Sequence, residues 1–262
     1  MSNTTPGKSI IQRHGAVALI MSLGLLVAVC HAAPAIQESQ QVTSTSIASE
    51  TLSTRQQAIV PIAAFAAKGD LAKLNAALNQ GLDAGLTVSD VREVLVQLYA
   101  YAGFPRSLNA LGELMKVLDE RRQRGIQDAP GHAPSHPIPT GAALLSAGTA
   151  NQTKLAGGAV KGPLFDFAPA IDEYLKTHLF GDIFERDNLD WQSREIATVA
   201  MLAAQPGGEP QLQAHMRISM NVGLTESQLR QLGQVLADRV DVDTAMRAHV
   251  ALEKQIAAKS GR

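Results

Sequence analysis

Cysteine is almost missing: Cys30 is the only one among 262 residues. A single thiol excludes an internal disulfide, a CxxC redox pair and a multi-thiolate metal site. Charge of one sign is lacking as well. With 23 basic against 24 acidic side chains, the chain has none of the Lys and Arg surplus that nucleic-acid contacts require. Aromatics are scarce at 4%, and their rarity beside abundant Ala and Leu favours helices over a β-sandwich. There is no glycine-rich phosphate or dinucleotide loop and no Ser–His–Asp signature, so no cofactor is expected. What the chain does have is 45% hydrophobic residues with only 18% charged, enough for a large buried core.

The N-terminus reads as a targeting signal. Lys8, Arg13 and His14 precede an uncharged apolar run from Gly15 to Val29, which gives way to small residues and Pro34. That run falls short of the roughly 20 residues needed to span a bilayer. Residues 1–32 are therefore expected to be removed on export to a periplasm or the exterior, with cleavage after Ala32 or Ala35. A lipid anchor on Cys30 would want a small residue where Val29 stands. Cleavage takes Lys8, Arg13 and Cys30 away, leaving a mature chain of net charge −3 without a thiol. Residues 33–52, rich in Ser, Thr and Gln, read as a flexible lead-in.

The remainder is a degenerate repeat. Thr54-Arg55-Gln56 opens an apolar stretch that leads through Gly69-Asp70 to a helix, then Gly85-Leu86-Thr87, then another helix. Ser193-Arg194-Glu195, Gly207-Gly208-Glu209 and Gly223-Leu224-Thr225 follow in the same order. The Gly-Leu-Thr elements stand 138 residues apart and the Arg elements 139, which indicates two related helical units, 53–124 and 164–262. In each, glycine closes one helix, leucine packs back on it and threonine caps the next, helped by Asp90 or Gln228 three residues on. Val91, Val94, Leu95 and Leu98 form one helical stripe, and Leu229, Leu232, Val235 and Leu236 another. Pro61 predicts a kink or a late helix start. Proline-rich residues 125–163 read as the linker. His132 and His136 lie in it four residues apart, a spacing that means little off a helix, so no metal is assigned. An amphipathic stretch from Leu164 to Phe180 resumes the fold.

Gly85-Leu86-Thr87 through Tyr101-Ala102-Gly103-Phe104-Pro105, and Leu189 to Ile196 through His215 to Gly223-Leu224-Thr225, resemble the carboxymuconolactone decarboxylase family, which includes the AhpD-like alkylhydroperoxidases. The resemblance implies an all-α fold of two AhpD-like units in tandem, self-associated as a trimer. It also places the family's Arg-Glu pair on Arg194-Glu195 and its helix histidine on His215. The first unit has Gln56 and Ala77 at these positions and has lost both ionisable groups. Where the peroxidase branch carries cysteines, Gly208 and Gln211 stand, so the decarboxylase branch is the better analogue.

A hairpin that brings Glu195 to His215 makes a general acid–base in which the carboxylate fixes the imidazole tautomer. Arg194 or Arg217 is a candidate to hold a substrate carboxylate, because the guanidinium fork matches it bidentately. Gln211, one turn before His215, is expected in the same pocket. The substrate class implied is a small carboxylated lactone or related acid. Plainer readings run alongside: Glu195 at the positive end of its helix, Arg194 as a surface or interface ion-pair partner, Trp191 as a packing anchor, and Tyr101 and Asn109 lining a pocket between the halves. The alternative to a cofactor-free lyase is an exported oligomeric binding protein or an antioxidant without redox cysteines.

The export reading predicts a mature chain that begins at Ala33 or Ile36 and takes up no thiol reagent. Intact-mass analysis of protein recovered from the export compartment checks it, and retention of residues 1–32 there would overturn it.

Overall fold

Two helices have no solvent face along most of their length, and the others are arranged around them. The computed structural model describes residues 50–260; the leader with Cys30, and the lead-in before residue 50, lie outside the described residues. The first repeat consists of α1 (Thr54–Lys68), α2 (Leu71–Asp83), α3 (Val88–Gln97) and α4 (Tyr99–Gln123). Between the repeats lie α5 (Gly141–Ala156), α6 (Pro163–Phe167), α7 (Pro169–Tyr174) and a π-helical segment, Leu175–Ile183. The second repeat consists of α8 (Trp191–Ala203), α9 (Glu209–Asn221), α10 (Glu226–Arg239) and α11 (Val242–Ser260). Both ends of α9 stand 138 residues after those of α2. Among the described residues there is no strand, and the fold is all-α.

Every residue of α1 from Ala58 to Ala67 is buried, as is every residue of α8 from Ser193 to Ala203. A helix apolar on all sides belongs at the centre, and these two pack against each other through small side chains such as Ala63, Ala197 and Ala200. The amphipathic helices then cross between repeats: α10 packs on α1, while α3 and α4 pack on α8. One continuous core runs from Leu52 to Leu252. The two repeats are thus halves of one body rather than separately cored units.

The turn chemistry works as the sequence indicates. Gly85 and Gly223 take φ of 90° and 97°, where a side chain would be strained. Leu86 N–H and Leu224 N–H then reach back to Gly81 O and Ser219 O, both at 3.0 Å. Thr87 with Asp90, and Thr225 with Gln228, form reciprocal capping boxes.

Three expectations need correction. Helix α1 does not start late: it begins at Thr54 behind a Ser53–Gln56 capping box and carries the buried Pro61 inside it. Burial of ten successive residues outweighs the hydrogen bond that Pro61 removes. The linker is not merely a tether. Its Ala129 and Pro130 carbonyls accept from the Val88 and Ser89 N–H groups, at 2.9 and 3.1 Å, and so complete the α3 N-terminus. Its α5 packs on the π-helical segment so closely that a Cβ at Gly148 would meet the Lys176 carbonyl. Finally, the 164–180 stretch is not one amphipathic helix. Pro169 divides it at Ala168, leaving Phe167 88% exposed and Leu164, Ile171 and Tyr174 exposed; Leu179 and Phe180 are buried.

A buried ion cluster joins the halves. Glu93 of α3, 1% exposed, accepts a bidentate pair from Arg186 Nε and Nη2 at 2.8 and 2.7 Å and a third bond from Arg194 Nη2 at 3.1 Å. Burial alone raises the Glu93 pKa, but hydrogen bonds from Arg186 and Asn188 and the Arg194 charge bring it down to about 2. Removing the carboxylate charge strands a guanidinium with no solvent access. Glu93→Gln is therefore expected to cost on the order of 3–5 kcal/mol in urea denaturation at neutral pH. The wild-type cluster contributes fully above the unfolded carboxyl value near 4.5 and is lost as pH falls through about 2. The variant should show a flatter acid limb over that interval.

Candidate functional site

Helix α8 starts at Asp190, whose carboxylate accepts from Ser193 N–H at 2.7 Å. That places Arg194 and Glu195 in the second helical turn, each 0% exposed. Neighbouring residues on a helix point about 100° apart, so the two charges face different elements. Arg194 turns to the first repeat, where Nη2 donates to Glu93 and to Arg186 O (2.8 Å) and Nη1 to Gln97 Oε1 (3.3 Å). Glu195 turns to α9.

There, Glu195 Oε2 lies 2.8 Å from His215 Nδ1. A carboxylate only accepts, so Nδ1 carries the hydrogen and Nε2 is the nitrogen left for chemistry. His215 is 7% exposed, on the same buried stripe of α9 as Leu212, Met216 and Ser219. The Tyr101 ring, from the first repeat, meets the imidazole edge-on at 5.5 Å and 79°. The buried polar atoms without a hydrogen-bond partner among the described residues include Glu195 Oε1, Arg194 Nε, Ser219 Oγ and Tyr101 Oη. Burial, and then the negative charge of Glu195, push the Tyr101 hydroxyl above its usual range, so it stays protonated.

The other expected site residues are placed elsewhere. Arg194 is not a surface residue, and its Nη1 and Nη2 are already engaged by Gln97, Glu93 and Arg186 O. Gln211 lies in the first turn of α9, beyond the core, and is exposed. Arg217 is two residues from His215, hence about 200° round the helix; it is exposed and lines a cavity of about 460 Å³ with Gln213 and Lys259. Asn109 is exposed. Trp191 donates to Phe184 O at 3.0 Å and meets the Phe184 ring, which makes it a packing residue. His132 and His136 are exposed on their loop, and among the described residues no three His, Cys, Asp or Glu side chains are grouped to hold a metal.

In the first repeat the matching positions have other duties. Gln56 completes the α1 capping box and Ala77 is core. The residues that the sequence did not single out are Glu93, Gln97 and Arg186. Asp90, Glu93 and Gln97 fall at i, i+3 and i+7 of α3 and form a polar stripe beside its apolar one. That spacing was the available signal for a second buried face.

A sequence profile of the carboxymuconolactone decarboxylase family matches residues 34–115 and 169–254, one stretch in each half. The chain belongs to this family. No curated protein matches it. Within the carboxymuconolactone decarboxylase family its buried carboxylate–imidazole pair stands in one repeat only. A single cysteine cannot supply a dithiol.

The geometry predicts a His215 ring held with hydrogen on Nδ1. Nitrogen-15 side-chain NMR should show that one tautomer in the wild type and a mixture of both in Glu195→Ala, whose circular dichroism should be unchanged.

Proposed function

We propose that this protein is a cofactor-free acid–base lyase that acts on a small unsaturated lactone acid, with His215 as the proton carrier and Glu195 as the group that orients it. The observation that carries this reading is the buried 2.8 Å Glu195–His215 hydrogen bond. Loss of CO₂ from such an acid leaves its C–C electron pair in the conjugated carbonyl, as a dienolate. An imidazolium at His215 gives its Nε2 proton to carbon, the lactone carbonyl re-forms, and the neutral imidazole stays held through Nδ1–H until solvent returns a proton. Because the Arg194 Nη groups already donate to Glu93, Gln97 and Arg186 O, the substrate carboxylate is not routed to Arg194. The same chemistry serves related acids in which a proton is exchanged next to a carbonyl.

Residues 1–32 support export, and exposed apolar faces support self-association, for which the family resemblance suggests a trimer. Phe104, Leu108 and Met115 on α4, and Val242, Met246 and Val250 on α11, supply such faces.

A second reading, in which Glu195 and His215 are only a buried structural pair, is favoured by their low side-chain exposure, 0% and 9%. One experiment separates the two. Mature protein in D₂O with a panel of five-membered unsaturated lactone acids should release CO₂ or place deuterium on ring carbon, read by proton NMR. His215→Asn and Glu195→Gln, if folded, should slow this by roughly 10²–10⁴-fold. Equal rates in wild type and variants, or no reaction with any member of the panel, would favour the structural pair.

A further inference from the structure

The acid–base pair belongs to the second repeat, but the closest aromatic group to His215 comes from the first. Tyr101 sits on a short helical turn that breaks from the rest of α4 at Gly103, where φ is 79° and ψ 163°. That backbone is strained for any residue with a side chain. The Tyr99 ring stacks on Phe104 at 4.8 Å and closes the turn from the other side of the break. The turn directs the Tyr101 ring edge-on to the imidazole and puts its hydroxyl out of solvent.

A buried hydroxyl without a partner is costly unless something else satisfies it. Thr198, the nearby hydroxyl, accepts from Gln97 Nε2 at 2.7 Å, donates to Arg194 O at 3.0 Å and stands close enough to act on the Tyr101 hydroxyl, although no contact between the two reaches hydrogen-bond geometry. Ser219 Oγ, one turn after His215 on α9, is likewise unpartnered and 0% exposed. A hydroxyl donor on the ring that meets the imidazole, beside an Nε2 that Glu195 leaves free, matches a ligand with an oxygen acceptor beside a carbon that takes up a proton. An enolate has that pattern, and hydrogen-bond donors held in place where oxygen charge develops stabilise it strongly.

We propose that Tyr101 of the first repeat completes the second repeat's site, its hydroxyl donating a hydrogen bond to the enolate oxygen of the bound substrate while His215 serves the carbon. This inference rests on the acid–base reading above. It makes the first repeat, which lacks an acid–base pair of its own, a contributor to the site that remains. Tyr101 keeps its proton throughout, and no bond to it is made or broken.

The test uses tetronic acid, a five-membered lactone that is a stable enolate at neutral pH, titrated into the mature chain with nitrogen-15-labelled histidine. Tetronate should shift the His215 side-chain signals of the wild type. Tyr101→Phe should bind it at least tenfold more weakly while keeping the wild-type His215 tautomer in the free protein. Equal affinity of wild type and Tyr101→Phe, with His215 still shifted, would overturn the role of Tyr101 and leave the acid–base reading standing. A changed tautomer in free Tyr101→Phe would make Tyr101 a packing residue and overturn the proposal. Wild type whose His215 signals do not respond to tetronate would overturn both.

Discussion

Helix α8 is buried on all sides, and every polar side chain on it must therefore be satisfied by the protein itself. A buried charge without a partner costs far more than a domain can spare. Arg194 is answered by Glu93 and Gln97 from α3, and Glu195 by His215 from α9. Two electrostatic demands from adjacent residues thus fix two neighbouring elements, one in each repeat. The linker and the π-helical segment follow from the same demand, because Arg186, which supplies the second cation on Glu93, lies between that segment and α8.

This division makes Arg194 and Glu195 two separate devices. Arg194 holds the halves together, and Glu195 sets the imidazole. Buried pairs of this kind add little net stability compared with apolar packing, yet they are costly to break and so enforce one arrangement. The α1–α8 contact by itself lies between largely apolar helices. The Glu93 cluster and the Gln97 bonds to Arg194 O and Thr198 Oγ1, at 2.9 and 2.7 Å, set the register of α3 against α8. The same register brings the α4 turn with Tyr101 to the imidazole.

What was legible in the sequence was local. The two capping boxes, the glycine turns and the apolar stripes depend on residues three to seven apart, and each stands where the pattern puts it. The Glu195–His215 approach was legible from the hairpin, because α8 and α9 are consecutive and antiparallel neighbours are the simplest way to close a short turn. The ion cluster was not, since Glu93 and Arg194 are 101 residues apart and nothing local distinguishes a buried arginine from a surface one. Gln211 shows a different limit. Its helical phase relative to His215 is right, but a phase says nothing of how far the core extends along the helix axis, and the first turn of α9 lies beyond it. Helix α5 carries little periodicity among its Gly, Ala and Thr residues, and its place depends on the fit of Gly148 against Lys176.

The two repeats have diverged in a physically coherent way. At the position of Glu195 the first repeat has a capping Gln56, and at that of His215 a core Ala77, so no charge is left there to satisfy. Glu93 has as its counterpart Gln231, whose Oε1 accepts from Leu52 N–H at 2.6 Å instead of meeting an arginine. Arg55, the counterpart of Arg194, pairs at the surface with Asp90 within its own repeat. At the positions of Arg194, Glu195 and His215 the first repeat thus has neutral groups or a charge drawn out to solvent, whereas at the position of Glu93 it is the second repeat that carries the neutral side chain. A duplicated fold can carry one charged interior site at lower cost than two, because each buried ion pair has a desolvation penalty that neutral groups avoid. Freed from holding a pair of its own, the first repeat can shape its helices around the remaining one.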